Sequence, residues 1–195
     1  VVTVSEFLRK SIHLFNSVIP LGYLFIVPER KEMVIILGVV SILFFSIDVG
    51  RTRITWIRSL FRKAFDFMLR SHELEGQFTG ATWVVIGAFM TVLLFPKEIA
   101  VLALFYLSFG DTAAALVGMQ FGKVKFRDKS LEGSLAGLAA CLLAATFFPG
   151  ISWAVRFSGA VGAMLIEFLP IPIDDNLRIP LVSGTIMIAV SSLMT

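Results

Sequence analysis

The stretch IAVLALFYLSFGDTAAALVG, residues 99–118, decides the fold: it is a run of twenty residues broken by one charged side chain, Asp111. The hydrocarbon core of a bilayer is about 30 Å thick, and roughly 17–25 mostly apolar residues cross it as an α-helix. The run predicts a membrane span with a carboxylate inside it. Working outward, charged and Pro/Gly clusters mark off six further apolar runs at 12–27, 33–47, 81–95, 131–148, 151–169 and 177–194. The expected fold class is therefore all-α: a polytopic integral membrane helical bundle of about seven transmembrane helices, in one domain over residues 1–195.

Composition agrees. Of 195 residues, 57% are hydrophobic and 16% charged, and mean hydropathy is +0.88, whereas a soluble domain has about 45–50% apolar and about 25% charged residues. That excludes a soluble globular enzyme and a disordered chain. The single cysteine, Cys141, has no partner for an intrachain bridge, which excludes a disulfide-stapled secreted domain. Residues 54–69, ITWIRSLFRKAFDFML, place apolar side chains at three- and four-residue steps with Arg58, Arg62 and Asp66 between them. That pattern suits one amphipathic helix lying in the membrane interface, or packed on the bundle.

Lys and Arg orient the chain. Of the 17, 13 fall in alternate connecting segments, beginning with the N-terminal one. The N-terminus is expected in the cytoplasm and the C-terminus on the opposite side. No cleavable signal pattern is expected, because the first segment is charged and no A-x-A site follows the first apolar run.

Ionisable residues in or beside membrane spans are costly and mark functional sites by default. Here they gather on the expected cytoplasmic side: Arg9, Lys10 and His13 at the first run, Glu73 and Glu75 before the third, Asp111 in the fourth, Lys123, Lys125, Arg127, Lys129 and Glu132 after it, and Asp174, Asp175 and Asn176 before the last. Four cations within residues 123–129 can neutralise phosphate oxygens. Gly118, Gly122 and Gly133 permit close backbone approach, and Ser130 and Ser134 offer hydroxyls near a helix N-terminus. Carboxylates at Asp111, Asp174 and Asp175 suit Mg²⁺, which takes one or two carboxylates plus phosphate oxygens. Together these point to a polyphosphate bound with a divalent metal. Gly118–Val124 is no Walker motif, being one residue short and lacking Ser/Thr after the lysine. Blander readings exist for each residue: a topology-setting basic loop, a helix break at Asp111, a turn and N-cap at Asp174-Asp175-Asn176. Their convergence on one face argues for a site.

Residues 95–137, with G-D-T-A-A, then F-G-K, then K-S-x-E-G-S, closely resemble the CTP-dependent lipid kinases: dolichol kinase, phytol kinase and the fungal-type diacylglycerol kinase. The E-x-x-R-K-x-x-H pattern at Glu6, Arg9, Lys10 and His13 looks like the same family. So does E-x-x-P…D-D-N…P-L at Glu167, Pro170, Asp174, Asp175, Asn176, Pro180 and Leu181. The resemblance implies transfer of the γ-phosphate of CTP to a membrane lipid alcohol such as diacylglycerol or a polyprenol, with Mg²⁺ as cofactor and the active site in the cytoplasm. Thr112, Gly118, Gly122, Lys123, Arg127, Lys129, Ser130, Glu132, Gly133 and Ser134 would then bind nucleotide. Asp111, Asp174 and Asp175 would hold the metal. Asp174, Asp175 or His13 would orient or deprotonate the hydroxyl, Arg9 and Lys10 would neutralise the transferred group, and Glu73, Glu75, Glu167 and Asn176 would support them. CTP, the lipid alcohol and the bilayer are the expected partners; a nucleic acid is not, and a homodimer stays open. The central motif also resembles phosphatidate cytidylyltransferases, but their longer C-terminal signature is replaced here by P-I-D-D-N. A small transporter or scaffold is the alternative from another class, disfavoured because the ionisable groups sit at one face and not at the midplane.

Overall fold

The computed structural model describes residues 11–65, 69, 71–74, 76–127 and 129–194. After a helical stretch at 11–15, the order is α1 (Val18–Phe25), α2 (Arg30–Arg53), α3 (Thr55–Phe65), the single turn α4 (Ser71–Leu74), α5 (Gly80–Leu94) and α6 (Lys97–Phe105). A π-helical segment (Tyr106–Asp111) leads into α7 (Thr112–Phe121). A small hairpin, β1 (Lys125–Phe126) and β2 (Lys129–Ser130), precedes α8 (Leu131–Ala145), α9 (Trp153–Phe168) and α10 (Asp175–Leu193). The fold is all-α apart from that hairpin. Each apolar run of the sequence is helical. Among the described residues, three helices are long and apolar enough to cross a membrane: Arg30–Arg53, Lys97–Phe121 and Asp175–Leu193.

The middle one of these is the axis of the bundle. Its apolar stretch is 78% buried, against 22% for Arg30–Arg53. Ala100–Ala103 are wholly inaccessible, because a helix that is hydrophobic all round is stable only where neighbours cover every face. α2 turns Ile35, Val39, Ile42 and Leu43 outward instead. Such an outward apolar face on a long helix belongs to an integral membrane protein. α3 buries no residue and leaves Trp56, Leu60 and Phe65 exposed, in keeping with its amphipathic pattern.

Around the axis, α7 packs on α8, α8 on α9, α9 on α10, α10 on α5, and α5 on α2. Helices cross closely where side chains are absent. A Cβ on Gly110 would stand 2.6 Å from Cys141 Sγ and 2.7 Å from Met164 Cε. Pro180 inside α10 has no N–H for the Asn176 carbonyl four residues back, and Gly87 of α5 lies against that freed oxygen.

The two ends of the bundle differ. At one end, cations serve helix termini, whose last carbonyls lack intrahelical partners. Arg30 donates to Val92 O (3.1 Å) and Leu93 O (2.5 Å) and Arg156 to Ala145 O (2.7 Å), while Lys97 donates to Pro28 O (2.9 Å) in the α1–α2 connection. At the other end lie the hairpin, the start of α5 and the α9–α10 connection.

Candidate functional site

Asp111 is the last residue of the π-helical segment and is 3% exposed. The wider π turn inserts an extra residue into an otherwise α-helical rod, a distortion that recurs at functional sites. Facing it is His13, from the helical stretch before α1, with Nδ1 3.4 Å from Asp111 Oδ2. Ninety-eight positions apart in sequence, the two form a carboxylate–imidazole pair. The adjoining Thr112 has a buried hydroxyl oxygen with no hydrogen-bond partner.

The hairpin sets the second group. Phe126 and Lys129 are directly paired across it, so their side chains share one face, and Arg127 makes the turn with φ 53°. Lys129 Nζ donates to Glu167 of α9 and, at 3.0 Å, to Asp175 Oδ2 of α10. Burial alone would lower the Lys129 pKa. The Asp175, Glu167 and Asp111 carboxylates more than reverse that and raise it above the ordinary lysine range. Asp175 also accepts from Arg178 Nε at 2.7 Å, Arg178 Nη1 donates to Leu169 O at 2.7 Å, and Ser134 Oγ lies 3.3 Å from Glu167 Oε2. Among the described residues, the Asp111, Glu167 and Asp175 carboxylates thus stand around the Lys129 and Arg178 cations.

A third chain of contacts braces this floor. Glu73 Oε1 accepts from Gly80 N (2.8 Å), Gly80 O lies 3.4 Å from Asn176 Nδ2, and Asp174 Oδ1 accepts from Asn176 N and Nδ2 at 2.9 and 2.7 Å. Asp174 is thereby the N-cap of α10, while Asp175, one residue on, enters the ionic cluster.

The structure therefore brings together His13, Asp111, Lys129, Glu167, Asp175 and Ser134 from the expected set. Lys123 and Arg127 stand exposed on the loop. Ser130 caps α8 by accepting from Gly133 N at 3.1 Å, and Glu132 accepts from Val124 N at 3.1 and 3.2 Å. The close approach allowed by Gly118, Gly122 and Gly133 is between segments of the chain: a Cβ on Gly122 would meet Ser130 Oγ at 2.6 Å, and one on Gly133 the Ala114 carbonyl at 2.4 Å. Arg9, Lys10 and Glu75 lie outside the described residues. Sequence reasoning passed over Arg178, which it counted only for topology; its i,i+3 spacing from Asp175 on α10 was the available signal.

Oxygen-rich carboxylates are the donors a hard divalent cation takes. Among the described residues no group of three His, Cys, Asp or Glu forms a ready-made metal cage. The expected Asp111, Asp174 and Asp175 are thus not gathered into one metal-holding group; Asp111 and Asp175 are donors of the kind Mg²⁺ takes, one or two carboxylates with other oxygens completing its shell.

No family model matches the chain, and no solved structure matches it. Similar proteins are known. An uncharacterized protein of Rickettsia prowazekii is 30% identical over 89% of this chain and 88% of its own. The CTP-dependent diacylglycerol kinase 1 of Schizosaccharomyces pombe is 30% identical over 73% of this chain and 74% of its own. The protein of that name in Saccharomyces cerevisiae is 29% identical over 76% of this chain, which spans 61% of the yeast protein's length.

Proposed function

The chain belongs to the CTP-dependent lipid kinase family, and from that premise we propose that it transfers the γ-phosphoryl group of CTP to the hydroxyl of a membrane lipid alcohol. The names of the yeast relatives make diacylglycerol the acceptor to test first. The observation that carries the reading is the convergence of His13–Asp111 and Lys129–Glu167–Asp175–Arg178 at one end of the bundle. In phosphoryl transfer a protein supplies mainly position and charge.

The roles divide along the two groups. Lys129 and Arg178 hold the carboxylates in place and face the phosphates, with Lys123 and Arg127 supplying charge from the loop and Ser134 a hydroxyl. A triphosphate would meet the Asp111 and Asp175 carboxylates here, and a divalent cation between them would relieve the repulsion. Asp111 and Asp175 would hold Mg²⁺, which would neutralise phosphate charge there. His13, oriented by Asp111, takes the proton of the acceptor hydroxyl as its oxygen bonds to the γ-phosphorus; the bond from that phosphorus to the bridging oxygen breaks and CDP departs. Asp174, Asn176 and Glu73 position Asp175 through the start of α10. The lipid approaches sideways through outward apolar helices. Seven spans, a single catalytic domain over residues 1–195, and a cytoplasmic N-terminus and site with the C-terminus opposite complete the reading.

The test is an assay in nanodiscs with Mg²⁺ and CTP labelled at either the γ or the α phosphate, offered diacylglycerol, a polyprenol, phytol and phosphatidate. The expected outcome is label reaching an alcohol from the γ position alone. Label reaching phosphatidate from the α position would replace this reading with cytidylyl transfer.

A further inference from the structure

A cleft of about 300 Å³ opens beside the ionic floor, between the hairpin and the α9–α10 connection. Six of its nine lining residues are apolar, Phe126, Phe168 and Ile171 among them, and the other three are Arg127, Lys129 and Arg178. The two phenyl rings stack, with centroids 5.6 Å apart and planes 26° apart, and Phe126 remains half exposed. None of these rings takes part in the chemistry described above. Yet Phe126 is tied to it by register: it is the cross-strand partner of Lys129, so one hairpin face carries an aromatic ring and, beside it, the cation that joins the carboxylates.

We propose that this cleft seats the cytosine base and ribose of CTP, the base stacking on Phe126 while its phosphates run inward past Arg127 and Lys129; the inference rests on CTP being the phosphoryl donor. Two observations select this occupant. Aromatic rings are sequence-tolerant platforms for a base's π face, and a volume at the lower end of the roughly 300–1,000 Å³ of small-molecule sites suits a one-ring base. Arg127 stands exposed on the lining and complements a ligand with phosphates, while Lys129 and Arg178 are already engaged by Glu167 and Asp175 at its inner edge. Phe126 is thus a binding residue for the base of the nucleotide, absent from the sequence motifs.

The experiment compares wild type, Phe126→Ala and Phe126→Trp in detergent. It measures direct binding of CTP, CDP and inorganic tripolyphosphate, and the KM for CTP and for diacylglycerol. Phe126→Ala should weaken CTP and CDP roughly ten-fold, leave tripolyphosphate and the diacylglycerol KM in place, and Phe126→Trp should restore binding. Equal weakening of tripolyphosphate would mean a displaced hairpin and overturn the stacking role. A raised diacylglycerol KM with CTP unchanged would make the cleft the acceptor's seat, and no change in any quantity would put the base elsewhere. If wild type binds CTP no better than tripolyphosphate, the base has no seat and the proposal falls. Tight, Phe126-dependent CTP binding without γ-transfer would instead sink the kinase reading alone.

Discussion

Two ionic clusters in this protein pair carboxylates with cations alike and differ in the access their side chains keep. In the first, Asp48 of α2 is 1% exposed and Arg51 6%. Asp48 Oδ1 accepts from Arg51 Nε, and Oδ2 accepts from Thr79 N, Thr79 Oγ1 and Thr82 Oγ1 at 2.8, 3.0 and 2.6 Å. Arg51 spends its other nitrogens on the carbonyls of Glu73 and Gln77 and lies over the Phe61 ring. Both oxygens and all three guanidinium nitrogens are occupied, so the cluster is a clamp tying α2 to the segment that opens α5. In the second, the Lys129 and Asp175 side chains keep 30% and 26% exposure and border a cleft. Arg51 also lines a cavity, of about 150 Å³, so neither pairing nor a neighbouring cavity separates the two clusters; the access that the Lys129 and Asp175 side chains keep does.

The comparison can be broken by substitution. The largest effect is expected from Asp111→Asn, which should lower kcat by at least about 100-fold while thermal unfolding in detergent stays near wild type; retained turnover would remove Asp111 from the reaction. Asp48→Ala should do the reverse. It leaves the Arg51 guanidinium buried without its carboxylate, at a cost of about 3–5 kcal/mol, so yield and Tm should fall while activity per folded molecule survives. A folded but inactive Asp48→Ala protein would make the clamp part of the site. The smallest effect sharpens the second cluster from within. Because its carboxylate neighbours raise the Lys129 pKa, the free amine is scarcer than in an ordinary lysine at pH 9, and the side chain is shielded. Amine-reactive labelling read by mass spectrometry should modify the exposed Lys123 and Lys125 well before Lys129. Equal labelling of all three would show that the ionic cluster is not formed in solution.

Much of the helical layout was legible because apolar run length and helix-start signals are local. Thr79, Ser130, Ser152 and Asp174 all cap helices where the runs begin. The site was legible in part for another reason: charged residues in so apolar a chain are few, and each stands out. What stayed hidden was partnership. Asp48 read as the end of an apolar run, and Arg51, Arg58 and Arg178 as topology signals. Nothing local says that Arg51 meets Glu73 and Gln77, or that Arg58 donates to the Arg51 and Thr52 carbonyls. Nor does Gly118-x-x-x-Gly122 reveal that its space is filled by Ser130.

The sequence by itself determined that this chain is a helical membrane protein with a polar end, because hydropathy and charge are sums over neighbouring residues. Only the tertiary structure decided which carboxylate does what. Asp174 and Asp175 are adjacent and chemically identical, yet one caps α10 and the other meets Lys129 and Arg178. Successive side chains on a helix point about 100° apart, and what each one faces is set by helices far away in the chain.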